Sequence, residues 1–190
     1  MKFIIPKGTY GYIKRKRVRE TVKTILMFGI SFAIYLAGYF TVHSNKNLLT
    51  IVAVLGCLPA SKSAVSMIMF YRAKGCSEEL KKKLDAQKIS FSQRYDLYLT
   101  SYQKNFQISH VVMKQKNLIG ITESEKFDEN ACYEHLKDMF SKNGLKDITV
   151  KIFTDRDKYL ERLNSLQQSE MDEKKQLQED VLHLMENLSL

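Results

Sequence analysis

Two long apolar runs joined by a short polar segment constrain this chain more than any other feature. Residues 24–42 contain no charged side chain, and residues 48–71 contain only Lys62. A helix needs about 20 apolar residues to cross a hydrocarbon core of about 30 Å. Because the connecting residues 43–47 are few, the two helices must pair antiparallel, which predicts a transmembrane hairpin with these two spans. Small residues that would allow the helices to approach closely are Gly29, Ser31, Ala33, Ala37 and Gly38.

Basic side chains are concentrated before the first apolar run and after the second, and are nearly absent between the two runs. Residues 1–23 and the stretch after residue 71 are rich in lysine and arginine, whereas the connecting segment contains only Lys46. Cytoplasmic loops carry such an excess of positive charge, so we expect both termini in the cytoplasm. The lysine-rich composition without tryptophan suggests a bacterial plasma membrane.

The net charge of +9 predicts attraction to a polyanion. Beside a membrane span, the expected partners are the bilayer and the anionic lipids of its inner leaflet. The residues expected to contact these lipids are Lys14, Arg15, Lys16, Arg17 and Arg19. Nucleic acid is the alternative, and it is disfavoured because lipid competes for the same segment.

Lys62 is the one charge within the predicted spans. An ammonium group in the bilayer centre costs about 2.5–3.5 kcal/mol, and residues 24–71 offer no acidic side chain to pair with it. The favoured interpretation is that the span shifts and Lys62 reaches the cytoplasmic headgroups. The alternative is that Lys62, with Ser61 and Ser63, contacts another subunit, a partner protein or a lipid phosphate.

Residues 56–63, GCLPASKS, also match the phosphate-binding loop pattern GxxxxGK[ST] at all defined positions except one. Ser61 replaces the second glycine, and Pro59 removes a backbone N–H donor. A nucleotide is therefore not expected, and no other cofactor is predicted.

The remaining chain predicts a small cytoplasmic α+β domain at residues 72–155, with the order β-β-β-α-β-α and one antiparallel sheet. Alternation places Tyr95, Leu97 and Leu99 on one face of the first strand. The predicted strands are residues 95–102, 106–113, 118–122 and 148–153, and the predicted helices are residues 78–87 and 131–142, with a long helix at 156–190.

The end of the long helix shows coiled-coil spacing. Leu177, Val181, Leu184 and Leu188 follow one another at intervals of four, three and four residues. We expect self-association through this seam, and the alternatives are packing within the chain or against a partner protein.

Motifs for chemistry are sparse. Cys57, Cys76 and Cys132 form no CxxC pair, and an odd number of cysteines does not indicate a disulfide framework or a zinc site. Cys132 and His135 lie one helical turn apart, a spacing that is more often packing than metal binding. No HExxH or GxSxG motif occurs, and no metal is expected.

Acidic residues near the predicted sheet leave one enzymatic alternative. A sheet carrying acids beside a helix, on a membrane tether, resembles in element order the nuclease-related domains of the restriction-endonuclease type. The resemblance implies a metal-dependent nuclease or phosphoesterase with Asp96, Glu123 and Glu125 as ligands. That family carries Glu-x-Lys on one strand, whereas Glu125 and Lys126 are adjacent here and would face opposite sides of a strand.

These observations favour a non-enzymatic, membrane-anchored interaction or scaffold module that self-associates. A transporter subunit or regulator that uses Lys62 is a weaker interpretation. The predicted divisions are a basic segment at residues 1–23, the hairpin at 24–71, the α+β domain at 72–155 and the C-terminal helix at 156–190.

Overall fold

The computed structural model describes residues 6–43, 47–89, 91–101, 104–168 and 175–190. Its contacts divide the chain into two compact units. One unit is Ile13–Ala73, which we call the helical hairpin. The other combines the residues before Ile13 with Lys74–Leu190, and we call it the α+β unit.

Two long helices form the hairpin: α1 is Tyr12–Val42 and α2 is Leu48–Arg72. Both are long and apolar enough to cross a membrane, which confirms the two predicted apolar helices. Helix α1 begins well before the apolar run, so residues 12–23 of the basic segment are also helical. The side chain of Asn47 caps α2 by accepting from the backbone N–H of Thr50. Residues 56–63 are helical throughout, so the phosphate-binding loop interpretation is wrong.

Small residues let the two helices pack closely. A Cβ on Gly56 would lie 2.7 Å from Ser31 Oγ, and a Cβ on Gly38 would lie 2.8 Å from the Cβ of Leu49. By contrast, a Cβ on Gly29 would have no atom within 4 Å. The helices therefore approach at Ser31 and Gly38, two of the five small residues named from the sequence, whereas Gly29, Ala33 and Ala37 are exposed.

Polar contacts join the same helices between the first half of α1 and the second half of α2. The Thr24 hydroxyl donates to Ser63 Oγ over 3.0 Å. Seven residues before Thr24 on α1, the Arg17 guanidinium donates to the backbone oxygens of Phe70 and Ala73 over 3.0 and 2.8 Å. These contacts and the small-residue contacts recur every seven residues on each helix, which is the repeat of a left-handed helical pair.

The α+β unit is built on one mixed sheet with the strand order β1-β2-β3-β4. The strands are β1 Gln93–Thr100, β2 Asn105–Lys114, β3 Asn117–Ile121 and β4 Thr149–Phe153, and the helices are α3 Glu78–Ala86, α4 Glu129–Lys142, α5 Arg156–Gln167 and α6 Lys175–Leu188. The first three strands are antiparallel, whereas β4 is parallel to β3. The predicted antiparallel sheet is wrong here because α4 carries the chain back across the sheet between β3 and β4.

Apolar clusters cover both faces of the sheet. Helices α4 and α6 pack on one face, and α3 and α5 pack on the other. The predicted continuous helix at residues 156–190 is therefore wrong, because its two parts bury their apolar stripes against opposite faces. The connecting residues 169–174 lie outside the described residues.

The side-chain alternation of β1 reverses at Asp96. Tyr95 belongs to the cluster under α3 and α5, whereas Leu97 and Leu99 belong to the cluster under α4 and α6. Asp96 has a φ of 55°, and a residue in this left-handed region interrupts the regular pleat. The predicted shared face is correct for Leu97 and Leu99 and wrong for Tyr95.

Two segments from distant parts of the chain cover the outer edge of β1. The backbone N–H of Tyr95 donates to Gly8 O over 2.8 Å, and Leu190 N–H donates to Tyr98 O over 3.1 Å. The N–H of Tyr98 also donates to Ser189 Oγ over 2.8 Å. The opposite edge belongs to β4, which pairs only with β3 among the described strands.

Candidate functional sites

Asp96 and Glu123 hold the loop that precedes α3. Asp96 Oδ1 accepts from the N–H of Cys76 over 2.7 Å. Glu123 accepts from the N–H of Ser77 over 2.9 Å and from its hydroxyl over 2.6 Å. Asp96 is only 1% exposed, so its carboxylate acts as a buried anchor for the loop.

Arg156 connects this anchor to α5. Its guanidinium donates to Glu123 over 2.7 Å and to Glu79 over 3.0 Å. Its hydrogen bond to Glu79 is the main reason that the pKa of Arg156 is raised. Glu125 is exposed in the following turn. Within the described residues, no three His, Cys, Asp or Glu side chains are placed to hold a metal ion, so the metal-ligand set of the nuclease alternative is not assembled.

The two cysteines of the α+β unit are protected thiols. Burial raises the pKa of Cys76 to about 12, and that of Cys132 to about 12 as well. Nucleophilic chemistry needs the thiolate. Both side chains therefore remain protonated at neutral pH.

A buried hydrogen-bond chain crosses the α3 and α5 face of the sheet, and the sequence analysis missed it. The Tyr159 hydroxyl donates to His110 Nδ1 over 2.8 Å, and His110 Nε2 donates to Gln93 Oε1 over 2.9 Å, in the tautomer that satisfies both partners. The Tyr95 hydroxyl donates to the same Gln93 oxygen over 3.1 Å, and Lys81 reaches Tyr95 over 3.4 Å. The available signal was a single histidine in the apolar strand β2.

Burial keeps the side chains of His110 and Tyr159 uncharged. Burial, together with the nearby Lys81 ammonium, lowers the pKa of His110 to about 3. Burial also raises the pKa of the Tyr159 hydroxyl. The buried imidazole is therefore neutral at physiological pH. Its hydrogen bond with Tyr159 joins α5 to β2, and its hydrogen bond with Gln93 joins β2 to β1.

A groove of about 410 Å³ lies between β4 and α5. Its lining residues are Lys151, Phe153, Lys158, Glu161, Arg162 and Ser165. The sequence analysis named none of them, although Lys158 and Arg162 are four residues apart and share one helix face. Three of the groove's six lining side chains are basic and one is acidic.

Lys62 is exposed on α2, immediately before Ser63. Because the Ser63 hydroxyl meets Thr24, Lys62 lies level with the start of the uncharged part of α1. Ser61 donates its hydroxyl to Cys57 O in its own helix over 2.8 Å. The charge is thus at one end of the apolar zone and not at its centre.

The basic residues of the N-terminal segment lie in the first turns of α1. Lys14, Arg15 and Arg19 are exposed. Lys16 lies 3.7 Å from Glu20, and Arg17 bonds the end of α2. Arg17 therefore has a structural contact in addition to its charge.

The seam of α6 packs against the sheet. Val181 is fully buried, and Leu177, Leu184 and Leu188 are partly buried against the same cluster. This arrangement is the packing within the chain that the sequence left as an alternative. Self-association remains a prediction and requires other residues than this buried seam.

The chain matches no protein-family model, no curated protein and no solved structure.

Proposed function

We propose that the protein is an integral membrane protein whose helical hairpin anchors the α+β unit at the cytoplasmic face, where that unit serves as an interaction module. The exposure of apolar side chains carries this proposal. Among the described residues, every exposed large apolar side chain except Tyr133 lies on α1 or α2. Only 17% of the most apolar stretch of each helix is buried. Apolar surface of this extent is typical of contact with lipid.

The length of the uncharged zone supports the same proposal. Residues 24–42 of α1 extend about 28 Å at 1.5 Å per residue, close to the thickness of a hydrocarbon core. The polar contacts of Thr24 with Ser63 and of Arg17 with α2 lie towards the end of the hairpin that contains the start of α1 and the end of α2. Lys62 lies at that same end, where its ammonium reaches lipid headgroups.

The distribution of basic residues supports a cytoplasmic location for both ends of the hairpin. Lys14, Arg15 and Arg19 are exposed at the start of α1, and Arg72 ends α2. Such an excess of positive charge is typical of cytoplasmic segments and so supports a cytoplasmic position for this end.

The interaction role is supported by the use of the acidic residues. Asp96 and Glu123, the strongest catalytic candidates in the sequence, accept hydrogen bonds from the loop before α3. Their carboxylates therefore stabilise the fold of the α+β unit. We expect self-association as part of this role, to be measured as the mass of the protein in detergent.

Membrane integration is tested by extraction of isolated membranes at alkaline pH. The full chain should stay in the membrane pellet and enter solution only with detergent. Recovery of folded protein in the soluble fraction without detergent would contradict the proposal.

Orientation is tested with two fusions to alkaline phosphatase, which is active only outside the cytoplasm. Fusion after His43 should be active, because the hairpin turn lies on the side of the membrane opposite the cytoplasm. Fusion after Leu190 should be inactive. The opposite pattern would reverse the orientation while leaving membrane integration intact.

A further inference from the structure

We propose that the groove between β4 and α5 binds the phosphoryl group of a small anionic ligand. Two elements direct side chains into this groove. Lys151 and Phe153 are two residues apart in β4 and so share one face of the strand. Lys158, Arg162 and Ser165 recur at helical spacing on one face of α5. A strand face and a helix face thus converge on a volume of about 410 Å³.

The charge of the groove is unbalanced. Lys151, Lys158 and Arg162 line it, and Glu161 is its one acidic side chain. Within the described residues, none of the three cations has a carboxylate oxygen within 4.0 Å. Other cations near α5 do have such partners, which are Asp157 for Lys83 and Glu79 and Glu123 for Arg156. The groove therefore keeps positive charge available for an external anion.

The chemistry of the lining fits a phosphate ester. The planar guanidinium of Arg162 can bind two phosphate oxygens at once, and Lys158 one turn earlier supplies a second positive charge. Phe153 is partly buried and forms an apolar floor, with the Lys151 ammonium 5.2 Å from its ring centre. The volume lies within the range of small-molecule sites, about 300–1,000 Å³.

An acidic peptide added along the β4 edge is the competing occupant. Lysine on an exposed edge strand normally opposes pairing with another strand. Lys151 is such a residue and is exposed in the middle of β4. The observations therefore favour a compact phosphate over an extended peptide.

The proposal does not depend on membrane anchoring and is tested with the full chain in nanodiscs of phosphatidylcholine. Inorganic phosphate, ATP, glycerol 3-phosphate and a glutamate-rich peptide are titrated by calorimetry at constant ionic strength. We expect saturable binding of at least one phosphate probe. The double variant Lys158→Gln with Arg162→Gln should weaken it at least tenfold.

A matched control carries the same change of charge on α4, which covers the other face of the sheet. Lys137→Gln with Lys142→Gln should change binding less than twofold. Arg162→Lys should weaken binding, because it keeps the charge and loses the planar fork. Equal effects of the groove and control variants would overturn the proposal.

The source of the phosphoryl group is resolved by two arms. Binding of ATP or inorganic phosphate in neutral nanodiscs indicates a soluble ligand. Perturbation of the Arg162 Nε resonance only when phosphatidic acid is included indicates a lipid headgroup. Both results support a phosphate site. Saturable binding of the glutamate-rich peptide alone would refute it, and so would the absence of any response to both the soluble phosphate probes and phosphatidic acid.

Discussion

Asp96 combines two structural roles in one side chain. Its φ of 55° reverses the faces of β1, and its carboxylate accepts from the N–H of Cys76. Gly75 packs against it so closely that a Cβ there would lie 3.0 Å from Asp96 Oδ1. Aspartate is one of the few residues that tolerates the left-handed region. The strand reversal and the loop before α3 therefore depend on the same residue.

Replacing Asp96 separates these two roles. Asp96→Ala should lower the free energy of unfolding by about 2–4 kcal/mol, because it leaves a backbone donor unsatisfied and places alanine in a strained conformation. Asp96→Asn keeps an acceptor and tolerates the conformation, so its effect should be smaller. Urea unfolding in detergent, followed by circular dichroism, measures both. Equal losses would show that the negative charge itself is required.

His110 should make stability depend on pH. Its pKa of about 3 in the folded protein lies below the ordinary value of 6.5, so between these values the unfolded chain binds a proton that the folded chain does not. The free energy of unfolding should therefore fall as pH decreases from about 6.5 towards 3, by at most about 1.4 kcal/mol per pH unit.

The His110→Gln variant isolates this contribution. Glutamine can still accept from Tyr159 and donate to Gln93, but it does not titrate. Urea unfolding between pH 7 and 4.5 should show a flatter pH dependence for the variant than for the unmodified protein. Parallel curves would mean that His110 is protonated in the folded state.

At the scale of elements, the hairpin shows how a seven-residue repeat positions polar and small residues. Gly56 against Ser31 and Ser63 against Thr24 are successive layers of one helical pair. A bulky side chain fits only at a position that has no close atom of the other helix. The contrast between Gly56 and Gly29 provides a direct test.

Gly56→Leu should disrupt the pairing of α1 and α2, because its side chain would overlap Ser31. The readout is a disulfide between Thr24→Cys and Ser63→Cys in a Cys57→Ser background, since the two native hydroxyl oxygens are 3.0 Å apart. Oxidation should be fast in this background and at least several-fold slower with Gly56→Leu. The matched variant Gly29→Leu, at a position with open space, should leave the rate unchanged.

The elements were largely predictable from local patterns. The uncharged runs predicted α1 and α2, and alternation with polar turns predicted β1 to β4 within about two residues. The direction of β4 was not predictable, because alternation identifies a buried face and carries no information on the neighbouring strand. Likewise, the spacing of Leu177 and Val181 shows one apolar stripe but does not show that the sheet covers it.

The candidate sites were less predictable than the elements. Asp96 and Glu123 were recognised as acidic residues near the sheet, but their partners in residues 75–77 come from a distant part of the chain. The groove likewise depends on how α5 lies beside β4, which no local pattern specifies. For Lys62, the sequence showed only that a charge within an apolar run needs a polar environment.

At the scale of the whole molecule, the α+β unit is discontinuous in sequence. Gly8 bonds β1 from one side of the hairpin insertion, and Cys76 bonds β1 from the other. Lys7 donates to Ser189 O over 2.7 Å, so the first described residues also hold the end of α6. In the described ranges, both apolar clusters draw their side chains from outside Ile13–Ala73.

This arrangement predicts that the α+β unit folds without the hairpin. Replacing residues 13–73 with a flexible linker of about 10–15 glycine and serine residues should give a soluble protein with the dispersed amide spectrum of a folded domain. The same protein without residues 1–12 should be less stable, because Tyr95 then loses its backbone partner on Gly8. An insoluble or unfolded product from the first replacement would show that the hairpin contributes to this fold.

The discontinuity also has a consequence for biosynthesis. Residues 7 and 8 are translated before the hairpin, whereas their partners Tyr95 and Ser189 are translated after it. During this interval the hairpin can enter the membrane before residues 7 and 8 have a strand to pair with. Gly8 can pair with Tyr95 only after β1 has been translated, and Lys7 can bond Ser189 only after translation passes residue 189, so this segment finds its partners later than the hairpin does.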